Sequence, residues 1–197
     1  MPRPGEVTLA HRGILFLDEL PEFPRTALEN LRQPIEDGMV TISRAQATLT
    51  FPASFTLIAA QNPCPCGFAS DPDKECACPQ GAIERYKSRV SGPILDRIDL
   101  QIEVPRLQFS KIAEAVDAER SETILERVER CREIQRQRFS DALSYLNAKM
   151  SNRSVKEFCR IKEDSENLLK KAMERFLLSP RAYFKILKVA RTIADLE

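Results

Sequence analysis

The stretch GILFLDELPEF, residues 13–23, decides how the first part of this 197-residue chain folds. Its four consecutive apolar residues, 14–17, are too few for a helix and do not alternate with polar residues. Such a run predicts a buried strand of a parallel sheet. The strand ends directly at Asp18 and Glu19, and open α/β sheets bind their ligands at the carboxyl ends of strands.

The two acids have a chemistry that suits phosphate substrates. Adjacent residues at a strand end point in different directions, so the two carboxylates can take separate roles. Asp18 can hold a hydrated Mg²⁺ ion, which prefers carboxylates and water. Glu19 can orient a water molecule that attacks a phosphate. The plainer alternative is an exposed acidic strand end without a function.

Strands and helices alternate around this segment. Residues 25–37 predict a helix that Pro34 bends or shortens and that Gly38 ends. Residues 40–42 and 47–50 predict the two arms of a hairpin. A second buried strand is expected at 55–60 and a third strand at 100–104, where polar and apolar residues alternate. Helices between strands predict a parallel sheet and an α/β fold class.

Glycine and proline divide the chain near Pro105. All six glycines and twelve of the thirteen prolines lie in residues 1–105, whereas residues 106–197 contain only Pro180. Because both residue types mark turns between short elements, their scarcity favours long helices. We predict a mixed α/β domain at 1–105 and an all-helical domain at 106–197. The predicted helices lie at 110–138, 154–160 and 163–177, and a last one begins at Ser179-Pro180.

Composition excludes several classes of protein. The chain is 43% hydrophobic and 30% charged, which fits a globular protein rather than a disordered or fibrous one. No run of about 18 apolar residues predicts a membrane helix, and no apolar N-terminal segment predicts secretion, so we expect a cytoplasmic protein without membrane contact. The net charge of +1 does not by itself indicate a nucleic-acid binder.

Four of the six cysteines form two close pairs, Cys64-Pro-Cys66 and Cys76-Ala-Cys78, with nine residues between them. Four thiolates on one Pro- and Gly-rich loop can form a tetrahedral Zn²⁺ site. The expected role is structural, because four protein ligands leave no open position. The intervening loop is polar and has no core of its own, so a metal would explain its order. Four reduced thiols, or reversible disulfides, are the alternative.

Three further polar residues are candidates because of their positions. Asn62 ends the strand at 55–60 and could lie beside the two acids, where a neutral amide can hold water or contact a phosphate. Arg97 follows a Gly-Pro turn and could reach the γ-phosphate on a neighbouring subunit. Arg181 begins the last helix and could contact a nucleotide. The structural alternatives are an Asn-Pro turn for Asn62, an ion pair with Asp96 or Asp99 for Arg97, and a solvated side chain for Arg181.

Four segments, taken in order, resemble successive blocks of the bacterial magnesium-chelatase-like AAA+ ATPases of the ComM/YifB type. They are GILFLDELPEF (13–23), LIAAQNPCPCG (57–67), SGPILDRIDLQIEVP (91–105) and SPRAYFKILKVARTIADL (179–196). The resemblance implies a partial AAA+ P-loop NTPase core at 1–105 and a helical lid at 106–197. It implies the Walker B acids at Asp18 and Glu19, sensor 1 at Asn62, the arginine finger at Arg97 and sensor 2 at Arg181.

The same resemblance implies cofactors and partners. The cofactors are ATP and Mg²⁺, held in part by Asp18 and Arg181, and the expected assembly is a homo-oligomeric, hexameric ring. The segment VTISRAQATLTF, residues 40–51, matches a hairpin insertion that often faces the central pore of such rings. Arg44, at the tip of this hairpin, is therefore a candidate DNA contact.

One motif of the family is absent from this sequence, the phosphate-binding loop G-x-x-x-x-G-K-[ST]. We therefore expect the chain to correspond to the C-terminal part of a longer protein, beginning just before Walker B. We expect this part alone neither to bind ATP tightly nor to hydrolyse it. The family places its first strand centrally in the sheet, and that strand is missing here, so we also expect open strand edges.

Three functions stay open at this point. The first is an ATP-driven ring motor that remodels DNA and moves branch points in natural transformation or recombination. The second is the motor subunit of a magnesium or other metal chelatase, and the third is a non-catalytic, zinc-stapled interaction module. By resemblance, the cysteine loop and the 179–196 block favour the first over the second. Stimulation of ATP turnover by DNA would separate these two.

Overall fold

The computed structural model describes residues 3–44, 47–105, 119–139 and 146–197. The chain divides into two compact units, residues 1–108 and 109–197. The described elements of the first unit are, in order, α1 (Glu6–Leu9), β1 (Ile14–Leu17), a 3-10 turn (Leu20–Glu22), α2 (Arg25–Asn30), α3 (Arg32–Asp37), β2 (Met39–Arg44), β3 (Ala47–Pro52), β4 (Thr56–Ala59), α4 (Gln80–Lys87) and α5 (Gly92–Leu95).

The strands form two small sheets. β1 and β4 pair in parallel, with Ile14 opposite Thr56 and Leu17 opposite Ala59. This confirms the predicted parallel pairing of the two apolar runs. β2 and β3 form the predicted antiparallel hairpin, with longer arms than expected, and residues 45–46 lie outside the described residues.

The predicted helix at 25–37 is split into α2 and α3, which meet at Leu31. Pro34 has no N–H to donate to the carbonyl of Asn30, so one helical hydrogen bond is lost at this point. Gly38 ends α3 in the left-handed region, with φ of +67°. Its carbonyl accepts a hydrogen bond from the N–H of Ala53 at 2.7 Å, which closes the base of the hairpin.

The core of the first unit lies against one face of the β1–β4 sheet. The partly buried side chains of Leu15, Leu17 and Ala59 pack on it from the sheet. On the opposite face, Ile14 is 62% exposed and Phe16 is 59% exposed. The expectation of a buried strand was therefore wrong for this face, because the described residues cover only one side of the sheet. The buried cluster itself consists of Leu20, Leu28, Leu31, Val90 and Ile94.

The predicted third strand at 100–104 was also wrong, since these residues have no regular structure. Its apolar positions, Leu100, Ile102 and Val104, are exposed. The alternating pattern is present, but no described strand pairs with it, and an unpaired strand leaves its backbone groups to water. Among the described strands, β1 and β4 each have a single neighbour, as expected of a sheet with open edges.

The second unit is helical in its described residues. Its elements are α6 (Ser121–Arg138), a 3-10 turn (Asn147–Lys149), α7 (Asn152–Phe158), α8 (Glu163–Phe176) and α9 (Pro180–Leu196). The start of α9 is confirmed, because the Ser179 Oγ accepts the N–H of Ala182 at 3.2 Å. Of the helix predicted at 110–138, α6 covers the last part, and residues 106–118 lie outside the described residues.

A buried cluster holds the helical unit together, formed by Phe139, Met150, Val155, Cys159 and Leu187. Cys131 is also buried, which agrees with a packing role for both single cysteines. No helix in the described ranges is long and apolar enough to cross a membrane.

Candidate functional site

The two acids lie at the edge where both parallel strands end. The N–H of Ala60 donates to the carbonyl of Leu17, and the N–H of Leu20 donates to the carbonyl of Ala60, both at 2.9 Å. Ala60, the first residue after β4, is thus hydrogen-bonded to Leu17 and Leu20, the residues on either side of Asp18 and Glu19. Both acids are exposed, and the Asp18 Oδ1 accepts the N–H of Glu19 at 2.9 Å. This is the edge at which parallel sheets bind ligands.

Glu19 has an unusual backbone conformation, with φ of +50° and ψ of +47°. The left-handed region costs a residue with a side chain about 1–2 kcal/mol. The conformation is held by the next residue, Leu20, which is buried and bonded to the end of β4. Strain of this kind concentrates at functional sites, where the surrounding structure enforces it.

Asn62 follows β4 by three positions and stands at the same edge as the acids, since the two strands are parallel and in register. Tyr86 of α4 is only 7% exposed, and both Asn62 and Glu19 affect the pKa of its phenol. Burial raises the pKa of the Tyr86 phenol, and the carboxylate of Glu22 raises it further. The backbone N–H of Asn62 opposes this by hydrogen bonding to the phenol, whereas Glu19 acts in the same direction as Glu22.

Arg97 is held by its own chain. Its Nη2 forms an ion pair with the Glu36 Oε1 at 2.9 Å, and its Nη1 donates to the carbonyl of Pro93 at 2.5 Å. The side chain is 11% exposed, and its Nε is buried without a hydrogen-bond partner among the described residues. The sequence suggested Asp96 or Asp99 as the structural partner, but among the described residues Glu36 of α3 is the carboxylate that pairs with Arg97.

The remaining two arginines lie at element ends. Arg181 is exposed in the first turn of α9, directly after the Ser179 cap. Arg44 is the last residue of β2 and stands opposite Ala47 in the hairpin register. Arg181 belongs to the helical unit, whereas the two acids belong to the α/β unit.

The four paired cysteines converge. All four Sγ atoms lie within 4.8 Å of one another, with 3.4 Å from Cys64 to Cys66, 3.7 Å from Cys64 to Cys76 and 3.5 Å from Cys66 to Cys76. A tetrahedral centre with metal–sulfur bonds of about 2.3 Å requires sulfur–sulfur separations of about 3.8 Å. The thiols are free, and a disulfide would bring two sulfurs to about 2.05 Å. The cluster therefore fits a metal ion.

The thiols also differ in their readiness to ionise. The backbone N–H of Phe68 hydrogen-bonds to Cys66 and is the main reason that the pKa of this thiol falls to about 6. At Cys76, the backbone N–H of Cys78 acts in the same direction, but burial and hydrogen bonds to Cys66 and Cys64 outweigh it and raise the pKa to about 12. Four thiolates at this spacing need a cation to offset their repulsion.

Two residues at these sites were not found from the sequence. Glu36 is one of three acids in the predicted helix at 25–37, where acidic residues are ordinary, and its contact with Arg97 spans about 60 residues of chain. Tyr86 lies in a polar segment that was not predicted to be a helix. In α4 it is the only aromatic residue, which is the one signal that could have marked it as an anchor.

Comparison with known proteins matches both parts of the chain to one family. Residues 1–112 match the family model described as magnesium chelatase, subunit ChlI, and residues 118–197 match the model of the ChlI C-terminal region. The chain is 46% identical over its whole length to competence protein ComM of Haemophilus influenzae. It is 43% and 42% identical to the proteins named YifB of Salmonella typhimurium and Escherichia coli.

The chain spans 38% of the length of each of these relatives. Two family models together account for nearly all of its residues, and the order of the two models is the order of the α/β and helical units. The chain belongs to the magnesium chelatase subunit ChlI family.

Proposed function

We propose that the chain forms part of an AAA+ ATPase and that Asp18 and Glu19 are its hydrolytic acids. The observation that carries this proposal is the acid pair at the carboxyl end of β1, bonded to the end of β4, in a chain of the ChlI family. Exposed carboxylates at this edge of a parallel sheet suit a magnesium nucleotide.

Asp18, Glu19 and Asn62 have different proposed roles in ATP hydrolysis. Asp18 has an exposed carboxylate that would hold Mg²⁺, which supplies charge neutralisation to the transferred phosphate when it is bound. Glu19 accepts a proton from the attacking water and orients it. Asn62 adds a neutral amide that can hold that water without adding negative charge.

Arg97 and Arg181 are the proposed phosphate-contacting cations. An arginine that reaches the γ-phosphate stabilises the charge that develops in the transition state. Because Arg97 is paired with Glu36 in this chain, its action on a neighbouring subunit requires that pair to open. Arg181, in the first turn of α9, is proposed to contact the nucleotide from the helical lid.

The proposed assembly is a hexameric ring in the cytoplasm that acts on DNA in natural transformation or recombination, including branch migration. Support comes from a relative that is named a competence protein and from the hairpin β2–β3, which ends beside Arg44. Arginines at such a tip bind phosphates of a nucleic-acid backbone.

A second candidate function is the motor of a metal chelatase, which the descriptions of both family models favour. ATP turnover by the full-length protein, with and without single-stranded or branched DNA, separates the candidates. We expect DNA to stimulate turnover and Arg97→Ala to abolish the stimulation. Turnover that is indifferent to DNA would contradict a DNA motor and favour the chelatase reading.

We also propose that the metal of the four-cysteine cluster is Zn²⁺ in a structural role. Zinc prefers thiolate ligands in tetrahedral geometry, and four protein ligands leave no position for a substrate.

A zinc-stapled interaction module without catalysis is the third candidate. It would be favoured if the full-length protein bound zinc but lacked ATP turnover.

A further inference from the structure

The cysteine loop begins directly beside Asn62. Only Pro63 separates Asn62 from Cys64, and the Cys64 side chain is fully buried, with 0% exposure. Proline fixes its own φ and restricts the residue before it. The position of the first metal ligand therefore determines, within narrow limits, where Asn62 stands.

The other end of the loop leads into the helix α4. The last ligand, Cys78, is followed by Pro79 and then by α4, which carries Tyr86 back to the sheet edge. Tyr86 is buried in α4, and just beyond this helix Arg89 pairs with Glu22 at 2.8 Å, in the turn that follows the two acids. The pKa of the Tyr86 phenol responds to the backbone of Asn62 and to the carboxylate of Glu19. The two ends of the loop thus converge on one residue of the candidate catalytic edge.

Several contacts inside the loop are short in range. They include a turn in which Asp71 accepts the N–H groups of Asp73 and Lys74, the bond from the Asp71 N–H to the Phe68 carbonyl at 3.2 Å, and the stacking of Lys74 on Phe68. Residues 67–75 contain no fully buried side chain. Closing a loop of this length costs conformational entropy, which a metal ion with four ligands can offset.

We propose that the four-cysteine metal centre is a positioning device for Asn62. Metal binding fixes Cys64 and Cys78, and through Pro63 and Tyr86 it holds Asn62 beside Asp18 and Glu19. This inference rests on the proposed ATPase function for its catalytic consequence. Its structural content, that metal orders the segment around Asn62, stands apart from that function.

The test uses the full-length protein and four forms of it: the parent, Cys66→Ser, Tyr86→Phe and the control Cys131→Ser. Cys66 is a partly exposed ligand, whereas Cys131 is buried in the helical unit and does not belong to the cluster. Metal analysis should find one zinc per chain in the parent, in Tyr86→Phe and in Cys131→Ser, and none in Cys66→Ser. Co²⁺ in place of Zn²⁺ should give thiolate charge-transfer bands in the same three forms.

Amide hydrogen exchange measures how well the segment around Asn62 is ordered, and the measurement does not depend on ATP turnover. We expect faster exchange around residues 60–64 and 79–87 in Cys66→Ser and in the chelated parent, with Cys131→Ser unchanged. In kinetics, Cys66→Ser should lower kcat while the KM for ATP stays the same. Tyr86→Phe removes the phenol oxygen but no metal ligand, so we expect its kcat to fall by less than that of Cys66→Ser, with zinc retained.

Two results would overturn the proposal: a parent without bound metal, or loss of zinc that changes neither exchange around Asn62 nor kcat. Absence of ATP turnover in every form would refute the proposed function alone. In that case the exchange result still decides the positioning claim, because it depends only on the metal and on the loop.

Discussion

Glu19 shows how a single residue can be kept in a costly conformation. Its left-handed backbone is enforced by the buried side chain of Leu20 and the hydrogen bond from Leu20 to Ala60. Glycine adopts this conformation without the steric cost of a side chain. A carboxylate at this position is therefore expected to be retained for its chemistry rather than for stability.

We predict that Glu19→Gly stabilises the protein by about 1 kcal/mol and abolishes ATP turnover. Urea unfolding of the parent and the variant measures the first effect, and turnover of the full-length protein measures the second. A variant that is less stable than the parent would show that Glu19 contributes to folding through contacts that outweigh its backbone strain.

Arg97 and Glu36 form a second residue-level pair with a measurable role. Because the Arg97 side chain is 11% exposed, removing its carboxylate partner leaves a poorly solvated charge. We predict that Glu36→Gln lowers the free energy of unfolding by about 1–2 kcal/mol. Glu133→Gln, which breaks an exposed Arg136–Glu133 pair, is the matched control and should change stability by less than about 0.5 kcal/mol. Equal effects of the two variants would contradict a structural role for the Arg97–Glu36 pair.

At the scale of elements, the ends of α6 and α9 are joined by a buried carboxylate. The Asp195 side chain has no exposure, and Arg138 binds it through both Nη atoms at 2.5 and 2.6 Å. The Nδ2 of Asn147 donates to the same carboxylate at 2.7 Å, and Arg191 pairs with it at 2.9 Å. Burial by itself raises the pKa of Asp195, but the hydrogen bonds from Arg138 and Asn147 outweigh it, so the pKa lies below its ordinary value.

Because the pKa of Asp195 is lowered in the folded state, the direction in which stability changes with pH is fixed. The carboxylate stabilises the helical unit above the unfolded pKa of about 3.9, and this contribution is lost as the pH falls through the lower folded value. We predict that Asp195→Asn costs about 2–4 kcal/mol at neutral pH, because it leaves the buried Arg138 and the partly exposed Arg191 without their counter-charge. Thermal unfolding between pH 2 and pH 7 should show a smaller acid-dependent loss in the variant than in the parent. An unchanged pH dependence would contradict the role given to Asp195.

Element by element, the sequence was most informative where a local signal was strong. The apolar runs of β1 and β4, the serine cap of α9 and the proline break between α2 and α3 were predictable, because each depends on a few adjacent residues. The residues at 100–104 carry an equally clear alternating pattern but form no strand, since strand formation requires a partner. The pairing of Glu36 with Arg97 joins distant segments and leaves no local signal. The convergence of four cysteines was foreseen because their spacing already placed them on one loop.

At the scale of the whole molecule, the β1–β4 sheet presents an apolar face to solvent. Ile14 and Phe16 are 62% and 59% exposed, and Ile58 on the adjacent strand is 45% exposed. Exposed apolar surface on a sheet with open edges favours association. We predict that the 197-residue chain self-associates and that Phe16→Thr, which keeps a strand-forming residue, weakens the association. Sedimentation velocity over a range of concentrations measures this, and a concentration-independent monomer would contradict it.

The central claim is that the acid pair at the end of β1 hydrolyses ATP. The most direct test is ATP turnover by the full-length protein and its Glu19→Gln variant, with Mg²⁺ and with nucleotide binding measured in parallel. Glutamine keeps the shape of the side chain but cannot accept a proton, so we predict that turnover falls about 10²- to 10⁴-fold while ATP binding is retained. Turnover that survives Glu19→Gln at the parent's rate would contradict the assignment of this edge as the hydrolytic site.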